Sequence, residues 1–263
     1  MLNVQSSFAD KIKKVTAVYF SPTGGTKRAV EMLADSFSAA LIDNTLPEQR
    51  QRQLHFAADE LVLMASPVYA GQLPRLQKQD LWRNLHGSGT PCIIVACYGN
   101  RHYDDTMAQM QRIAIEQGFD VIGAAAVVIP HIFAPSLGAG RPNDADAAVL
   151  AQFANDVKVK IAGGAAGSVP LVLPGNPNPA PKAAIPVPKS FDEERCIMCG
   201  ACAALCPVGA IDGETMAIDE SLCLSCMRCV KYCRTGARSF DGAAINARLT
   251  ANFSEPQPVE IFV

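Results

Sequence analysis

The chain lacks an excess of charge of either sign, and it lacks any long apolar run. Its 263 residues include 23 Lys and Arg against 25 Asp and Glu, which gives a formal net charge of −2. Without a basic excess to neutralise phosphates, we expect no nucleic-acid partner. The longest apolar runs, residues 92–97 and 122–129, are far too short to span a bilayer, so we expect no membrane partner either.

The amino-terminal residues also lack the pattern of a secretory leader. Residues 1–14 contain no apolar stretch followed by small residues at which a signal peptidase would cut. We therefore expect a cytoplasmic protein. Eight of the ten cysteines nevertheless fall within residues 196–233, and in a chain without an export signal such a dense group indicates metal binding rather than disulfides.

The first part of the chain alternates short apolar runs with helical patterns. The predicted strands are residues 15–20, 40–42, 61–65, 92–97 and 121–129, and the predicted helices are residues 27–38, 76–85, 104–117 and 145–162. Continuous apolar strands separated by helices are typical of a parallel sheet that is covered on both faces. Residues 1–163 therefore predict a doubly wound α/β domain with five parallel strands.

A proline-rich segment follows this domain. Residues 164–189 contain seven prolines, with Gly, Ala and Asn between them. This composition favours an extended, stiff linker. An ordered arm that packs on a domain is the alternative. Residues 190–263 form the predicted second domain, and its tail, residues 246–263, could pack against either domain.

The clustered cysteines form two runs with the same spacing. Each run reads C-x2-C-x2-C-x3-C, and the second lies 27 residues after the first. A tight C-x2-C-x2-C loop supplies three thiolates to a 4Fe–4S cluster, and in two-cluster ferredoxins the fourth comes from the other run. We therefore predict cluster I, held by Cys196, Cys199, Cys202 and Cys233, and cluster II, held by Cys223, Cys226, Cys229 and Cys206. A single cluster and structural zinc are the alternatives, although structural zinc uses two pairs of ligands.

The two runs differ in the residue after the fourth cysteine. Pro207 follows Cys206, whereas Arg234 follows Cys233. A cation beside cluster I favours its reduced, more negative state. We therefore predict that cluster I has the higher reduction potential.

Three turns of the first domain suggest a second cofactor. Residues 21–26, Ser-Pro-Thr-Gly-Gly-Thr, precede a predicted helix, where backbone N–H groups and the helix dipole favour an anion. Residues 66–71 and 98–105 also follow strands, at the edge where open α/β sheets bind ligands, and their aromatic residues can stack on a flat ring. The Walker and dinucleotide glycine patterns are absent. The three turns together predict FMN, and a plain strand-to-helix turn is the alternative for residues 21–26.

These motifs carry a resemblance to a known family. Residues 15–160 resemble a flavodoxin-type domain, and residues 21–26 are similar to its S-x-T-G-N-T phosphate loop, although Gly25 stands where that family usually has Asn. The whole chain resembles the flavodoxin–ferredoxin fusions sometimes called ferrodoxins. The resemblance implies a flavodoxin-like doubly wound parallel sheet in the order 2-1-3-4-5, a small α+β two-cluster ferredoxin domain, one FMN and two 4Fe–4S clusters.

The resemblance also implies three groups of flavin-binding residues. The phosphate would be held by Ser21, Thr23, Gly24, Gly25 and Thr26. One side of the ring would be lined by Pro67, Val68, Tyr69, Ala70 and Gly71, and the other by Tyr98, Gly99, Asn100, Tyr103 and Asp105. Tyr69 and Tyr98 are the better stacking candidates, with a core position as the alternative for each. His131 follows the last strand and lies either near the flavin or in a solvated loop.

The predicted cofactors point to electron transfer. Each cluster passes one electron, whereas FMN holds one or two, so the chain could relay electrons between its clusters, its flavin and redox partner proteins. The alternatives are an FMN-dependent oxidoreductase that reduces a small molecule and a redox sensor without turnover. No catalytic residue is assigned, and a homodimer is left open.

Overall fold

The computed structural model describes residues 7–76, 81–164, 171–182 and 187–263. The strands are β1 (Lys14–Tyr19), β2 (Ala40–Asp43), β3 (Leu54–His55), β4 (Glu60–Pro67), β5 (Leu85–His86), β6 (Thr90–Tyr98), β7 (Phe119–Val128), β8 (Lys189–Phe191), β9 (Arg238–Phe240) and β10 (Glu260–Phe262). The helices are α1 (Phe8–Lys11), α2 (Gly25–Asp35), α3 (Pro47–Arg50), α4 (Thr106–Glu116), α5 (Asp144–Ala162), α6 (Ala201–Ala204), α7 (Arg228–Lys231) and α8 (Ala243–Phe253).

The main sheet has the order β10-β7-β6-β4-β1-β2. Five of these strands, β2, β1, β4, β6 and β7, are parallel neighbours in that order. This confirms the predicted flavodoxin-like order 2-1-3-4-5. The sheet has one strand more than predicted, because β10 pairs antiparallel with β7, Glu260 opposite Ala126. This strand covers an edge that would otherwise expose unpaired backbone groups.

Both faces of the sheet are buried, as the continuous apolar strands predict. Every residue of β6 is buried. Helices α2 and α5 cover one face, with Leu33 and Phe153 fully buried against it. Helix α4 covers the other face through Met107 and Met110. The carboxyl ends of the five parallel strands lie together at one end of the sheet, between the two helical layers.

The helix predicted for residues 76–85 is wrong for the part of that segment that the structure describes, and residues 77–80 lie outside it. Residues 81–84 form a turn, and β5 pairs with β3. Trp82 has a φ of 76°, which a helix does not allow. The Asn84 side chain holds the turn, because its amide donates to Asn44 Oδ1 at 3.1 Å and to the carbonyl of Arg52 at 3.0 Å.

The described part of the proline-rich segment, residues 171–182, is an ordered arm on the first domain. Leu173 is buried in the core beside α4. Gln111 Nε2 donates to the Leu171 carbonyl at 2.6 Å, and the Asn176 amide donates to Asp105 Oδ1 at 3.0 Å. Residues 171–182 therefore lie against the first domain, as the packed-arm alternative describes. Residues 165–170 and 183–186 lie outside the described residues.

The second part of the chain begins as a small unit around the cysteine runs. Strands β8 and β9 pair antiparallel, and α6 and α7 follow the two cysteine loops. The tail then leaves this unit, because α8 leads back to the first domain and β10 joins its sheet. None of the described helices has the length and apolar character that a membrane crossing requires.

Candidate functional site

The loop of residues 21–26 makes a tight turn into α2. Gly24, with a φ of 90°, caps the helix, and only glycine adopts this conformation without strain. The Ser21 hydroxyl accepts a hydrogen bond from the Lys27 amide at 2.9 Å, while the Ser21 amide donates to Thr45 Oγ1 at 2.9 Å. The first N–H groups of α2 have no partner within the helix, so the loop and the helix start can receive an anion.

The structure explains why Gly25 replaces the asparagine of the flavodoxin pattern. A Cβ on Gly25 would lie 2.9 Å from Ile129 Cδ1, closer than real Cβ contacts. Ile129 follows β7 and lies at the same sheet edge. Any larger residue at position 25 therefore requires Ile129 to move, whereas the backbone of the loop is unaffected.

A cavity of about 690 Å³ opens at the carboxyl ends of the parallel strands. Its volume lies within the range of cofactor and small-molecule sites. Its lining includes these predicted flavin residues: Ser21, Thr23, Thr26, Pro67, Val68, Tyr69, Ala70, Gly71, Tyr98 and Gly99. The structure thus brings the three predicted turns together around one cavity.

Three residues predicted to line the flavin, Asn100, Tyr103 and Asp105, are not among the residues that line this cavity, and their contact with a flavin stays a prediction. The Asn100 side chain binds the tail, donating to the Phe253 and Glu255 carbonyls at 2.8 and 2.9 Å. The Tyr103 hydroxyl donates to Glu260 Oε2 at 2.8 Å. Asp105 binds the arm, as described above. These side chains hold the segments that enclose the cavity. Gly24 and Gly25 shape the loop rather than line the cavity.

Several other parts of the wall come from segments that the sequence analysis did not assign to the flavin. They are Ser221–Ser225 beside the second cysteine run, the stretch from Ile129 to Phe133, and the side chains of Ile245, Arg248, Leu249, Asn252 and Phe253 on α8. His131 was noted in the sequence, and it does face the cavity. Nothing in the sequence pattern indicated that α8 would cover the site.

The two candidate stacking tyrosines have different surroundings. Tyr98 is buried in the sheet edge, and its ring meets Tyr103 edge-on with 5.5 Å between centroids. Tyr69 is half-buried and lies beside the second cysteine run. Burial raises the pKa of the Tyr69 hydroxyl well above its usual value, the Cys226 and Cys223 thiols act in the same direction, and Arg228 opposes them. Tyr69 therefore connects the flavin turn with the predicted cluster II.

The four cysteines predicted for cluster II come together around one small cavity. They are Cys206, Cys223, Cys226 and Cys229. Burial raises the pKa of Cys226 to about 12, and the pKa values of Cys223 and Cys229 are raised for the same reason. Buried thiolates need a cation to hold them, and a set of four soft thiolates fits an iron–sulfur cluster. Cys223 also lines the large cavity.

One of the four cysteines predicted for cluster I reaches the surface. Cys199 is exposed, with exposed Ile197 and Met198 beside it. Burial raises the pKa of Cys233, but backbone N–H groups, Arg238 first, and the Thr235 hydroxyl outweigh this effect and lower it to about 7. The grouping of these four thiols around one cluster stays a prediction. Among the described residues, no three metal-binding side chains converge as a single-ion site would require.

The two halves of the chain touch directly at the phosphate loop. Arg228 of α7 donates to the carbonyls of Ser21 and Pro22, and Lys231 Nζ donates to the carbonyl of Thr23. The predicted cluster II and the predicted phosphate site are therefore in contact through two cationic side chains.

Comparisons with known proteins find one family match, in the second part of the chain. The 4Fe-4S binding domain family matches residues 189–212 and again residues 216–239. No curated protein gives a significant match to the chain. A flavodoxin from the domain Archaea is similar to this chain, with 14% identity, a TM-score of 0.39 and coverage of 56% of this chain and 98% of the flavodoxin. A flavodoxin from Streptococcus pneumoniae TIGR4 has 18% identity, a TM-score of 0.38 and the same coverage.

These flavodoxin likenesses are distant, and the strand order of the sheet itself defines the fold. The two 4Fe-4S matches contain all eight clustered cysteines. A flavodoxin-like sheet followed by two 4Fe–4S-binding repeats fits the flavodoxin–ferredoxin arrangement expected from the sequence. The chain is therefore an iron–sulfur protein whose architecture supports electron transfer.

Proposed function

We propose that the chain relays electrons between two 4Fe–4S clusters and an FMN bound in the large cavity, and between these centres and redox partner proteins. One observation carries the proposal: Cys223, a predicted ligand of cluster II, lines the same cavity as the three flavin turns. When bound, the clusters supply one-electron steps and the flavin supplies one- or two-electron chemistry.

The positions of the cysteines give the relay an order. Cysteines of the cluster II set adjoin the cavity through Cys223 and Tyr69. The cluster I set reaches the surface at Cys199, where exposed Ile197 and Met198 offer an apolar contact area. The outer set therefore suits exchange with a partner protein, and the inner set suits exchange with the flavin.

The reduction of a small molecule at the flavin is a second candidate function. Its support is the cover over the cavity, which consists of α8 and residues of the second cysteine run. Arg101, His102 and Arg248 face the cavity and could orient a polar or anionic substrate.

Anaerobic reconstitution tests the proposal. We expect about eight iron and eight sulfide per chain with one FMN, and about four iron would contradict two clusters. In a rapid-mixing experiment, an excess of a flavin-free electron donor reduces the clusters, and the absorbance of the flavin is recorded over time. We expect a change in this absorbance as electrons reach the FMN of the same chain. A chain that binds clusters but no FMN contradicts the relay. Steady-state reduction of a small molecule without an added protein acceptor would favour the second function.

Three further points are expectations from the sequence alone. They are the existence of redox partner proteins, a homodimer as one possible assembly, and a cytoplasmic location. Mass measurement of the holoprotein in solution would decide between monomer and homodimer.

A further inference from the structure

Two cations of the second cysteine run lie against the phosphate loop. Arg228 and Lys231 are the first and last residues of α7 and donate to consecutive carbonyls of the loop. Lys231 Nζ lies 3.8 Å from the place that a Cβ on Gly24 would take. Both cations also lie over the ring of Tyr232, at 4.9 Å for Arg228 and 5.8 Å for Lys231. One aromatic side chain thus holds both cations towards the loop.

The charges at this contact are not balanced within the protein. The amino-terminal end of α2 carries the positive end of a helix dipole, and two cations approach it. Neither cation has an ion-pair partner in the described part of the chain. Arg228 Nε is buried and has no hydrogen-bond partner there. A phosphate dianion bound at the loop would supply the missing charge.

The same helix is tied to the cysteines of cluster II. Arg228 stands between Cys226 and Cys229 in the sequence, and Cys229 itself lies in α7 between Arg228 and Lys231. A cluster bound by these cysteines fixes the start of α7, and with it the two side chains. Loss of the cluster would release them from the loop.

We propose that Arg228 and Lys231 are the counter-charges of the flavin phosphate, so that both halves of the chain build the flavin site and FMN binding is coupled to cluster II. This inference rests on the proposed function. By thermodynamic reciprocity, bound FMN must stabilise cluster II as much as the cluster strengthens FMN binding.

Comparison of FMN with riboflavin isolates the phosphate. Apo-flavin protein with intact clusters is titrated anaerobically with each ligand, and flavin fluorescence reports the Kd. We expect Arg228→Gln and Lys231→Gln each to weaken FMN binding about tenfold, since each removes a charge-assisted hydrogen bond. Riboflavin binding should stay within about twofold, because riboflavin has no phosphate. Arg228→Lys should retain more FMN affinity than Arg228→Gln.

Arg234→Gln is the matched control, since Arg234 is an exposed arginine that follows the other cysteine run. It should leave both affinities unchanged. Iron content is measured for every variant, so that loss of a cluster is not mistaken for loss of a phosphate contact. Equal weakening of FMN and riboflavin would mean that the cations only dock the two halves, and unchanged FMN affinity would mean that they do not reach the phosphate. Either result overturns the inference.

Release of iron to a chelator tests the coupling. FMN should slow this release several-fold in the wild type but not in the double variant Arg228→Gln/Lys231→Gln. The same protection in both proteins, or in neither, would contradict coupling through these residues. A wild type that binds neither flavin overturns the proposed function itself, and the inference with it.

Discussion

Arg50 Nη2 donates a hydrogen bond to the carbonyl oxygen of Pro207 at 2.5 Å and so joins the flavodoxin-like domain to the residue that follows Cys206. The guanidinium is buried, and its Nη1 donates to the carbonyls of Asn44 and Thr45. Burial lowers the pKa of Arg50 to about 10, with Glu48 acting in the opposite direction, so the side chain stays charged near neutral pH. One buried cation thus fixes the segment after Cys206 against the flavodoxin-like domain.

Arg50→Met should destabilise the folded chain. The substitution keeps the volume of the side chain but leaves three buried carbonyls without their donor, at a cost of roughly 2–4 kcal/mol. Urea unfolding of the reconstituted protein measures this change in free energy. Arg52→Met is the control, because the hydrogen bonds of Arg52 are exposed, and it should cost less than about 1 kcal/mol. Equal losses of stability in the two variants would contradict a stabilising role for the buried hydrogen bonds of Arg50.

The parts of the fold that follow from local pattern were predictable. Strand β6 is a continuous apolar run, so side chains on both of its faces must be buried, as they are in a central strand of a covered parallel sheet. The cysteine spacing likewise determined the metal-binding part, because a cluster imposes that spacing. Strand β10 was not predictable, because its three residues carry no periodicity and pair with a strand more than 130 residues earlier.

The contacts that Asn100 and Tyr103 make were unpredictable for the same reason. Both residues lie on a turn that the sequence analysis assigned to the flavin. Their partners are backbone and side-chain groups of the tail, which no local pattern connects with this turn. Long-range contacts of this kind have to be seen in the structure.

Asn100→Ala should release the tail. The side chain donates to the carbonyls of Phe253 and Glu255 and accepts from the Gln257 amide at 3.0 Å. Loss of these bonds should cost roughly 2–3 kcal/mol and speed hydrogen exchange in β10. Exchange measured by mass spectrometry should show the change in the peptide that contains β10. Asn178→Ala, on an exposed part of the arm, should leave that peptide unchanged.

Gly25→Asn restores the residue of the flavodoxin pattern and should destabilise this protein. The new Cβ would meet Ile129 Cδ1, the terminal atom of a side chain that can rotate away, so the overpacking should cost about 1 kcal/mol, the low end of its usual range. Ile129→Ala opens the space, so the double variant should lose less stability than the sum of the two single variants. A double-mutant cycle by urea unfolding measures this coupling. Strict additivity would show that Ile129 does not exclude the asparagine.

Arg234→Gln should lower the reduction potential of cluster I. Arg234 is exposed, so water screens its charge, and we expect a shift of about 30 mV. A redox titration followed by electron paramagnetic resonance measures the two midpoints. Lys13→Gln removes an exposed cation that directly precedes β1, at the amino-terminal end of that strand. It should leave both midpoint potentials unchanged. Unchanged midpoints in Arg234→Gln would contradict the predicted inequality of the two clusters.

His131 should make the protein sensitive to mild acid. It faces the large cavity, its Nδ1 accepts a hydrogen bond from the Phe133 amide at 3.1 Å, and burial, with a smaller effect of Arg101, lowers its pKa to about 4. An unfolded histidine titrates near pH 6.5, so between about pH 6.5 and 4 the unfolded chain binds a proton that the folded chain does not. The stability that the neutral imidazole provides is therefore complete above this range and falls as the pH falls through it.

Urea unfolding at about pH 7 and about pH 5 measures this loss of stability. The contribution of His131 to the free energy of unfolding should fall by roughly 2 kcal/mol between the two conditions. His131→Asn should lose that much less stability on acidification than the wild type. Acid also weakens cluster ligation, but it does so in both proteins, so the difference between them isolates the histidine. If His131→Asn loses as much stability on acidification as the wild type, burial does not keep the imidazole neutral, and the cavity wall carries a cation in mild acid.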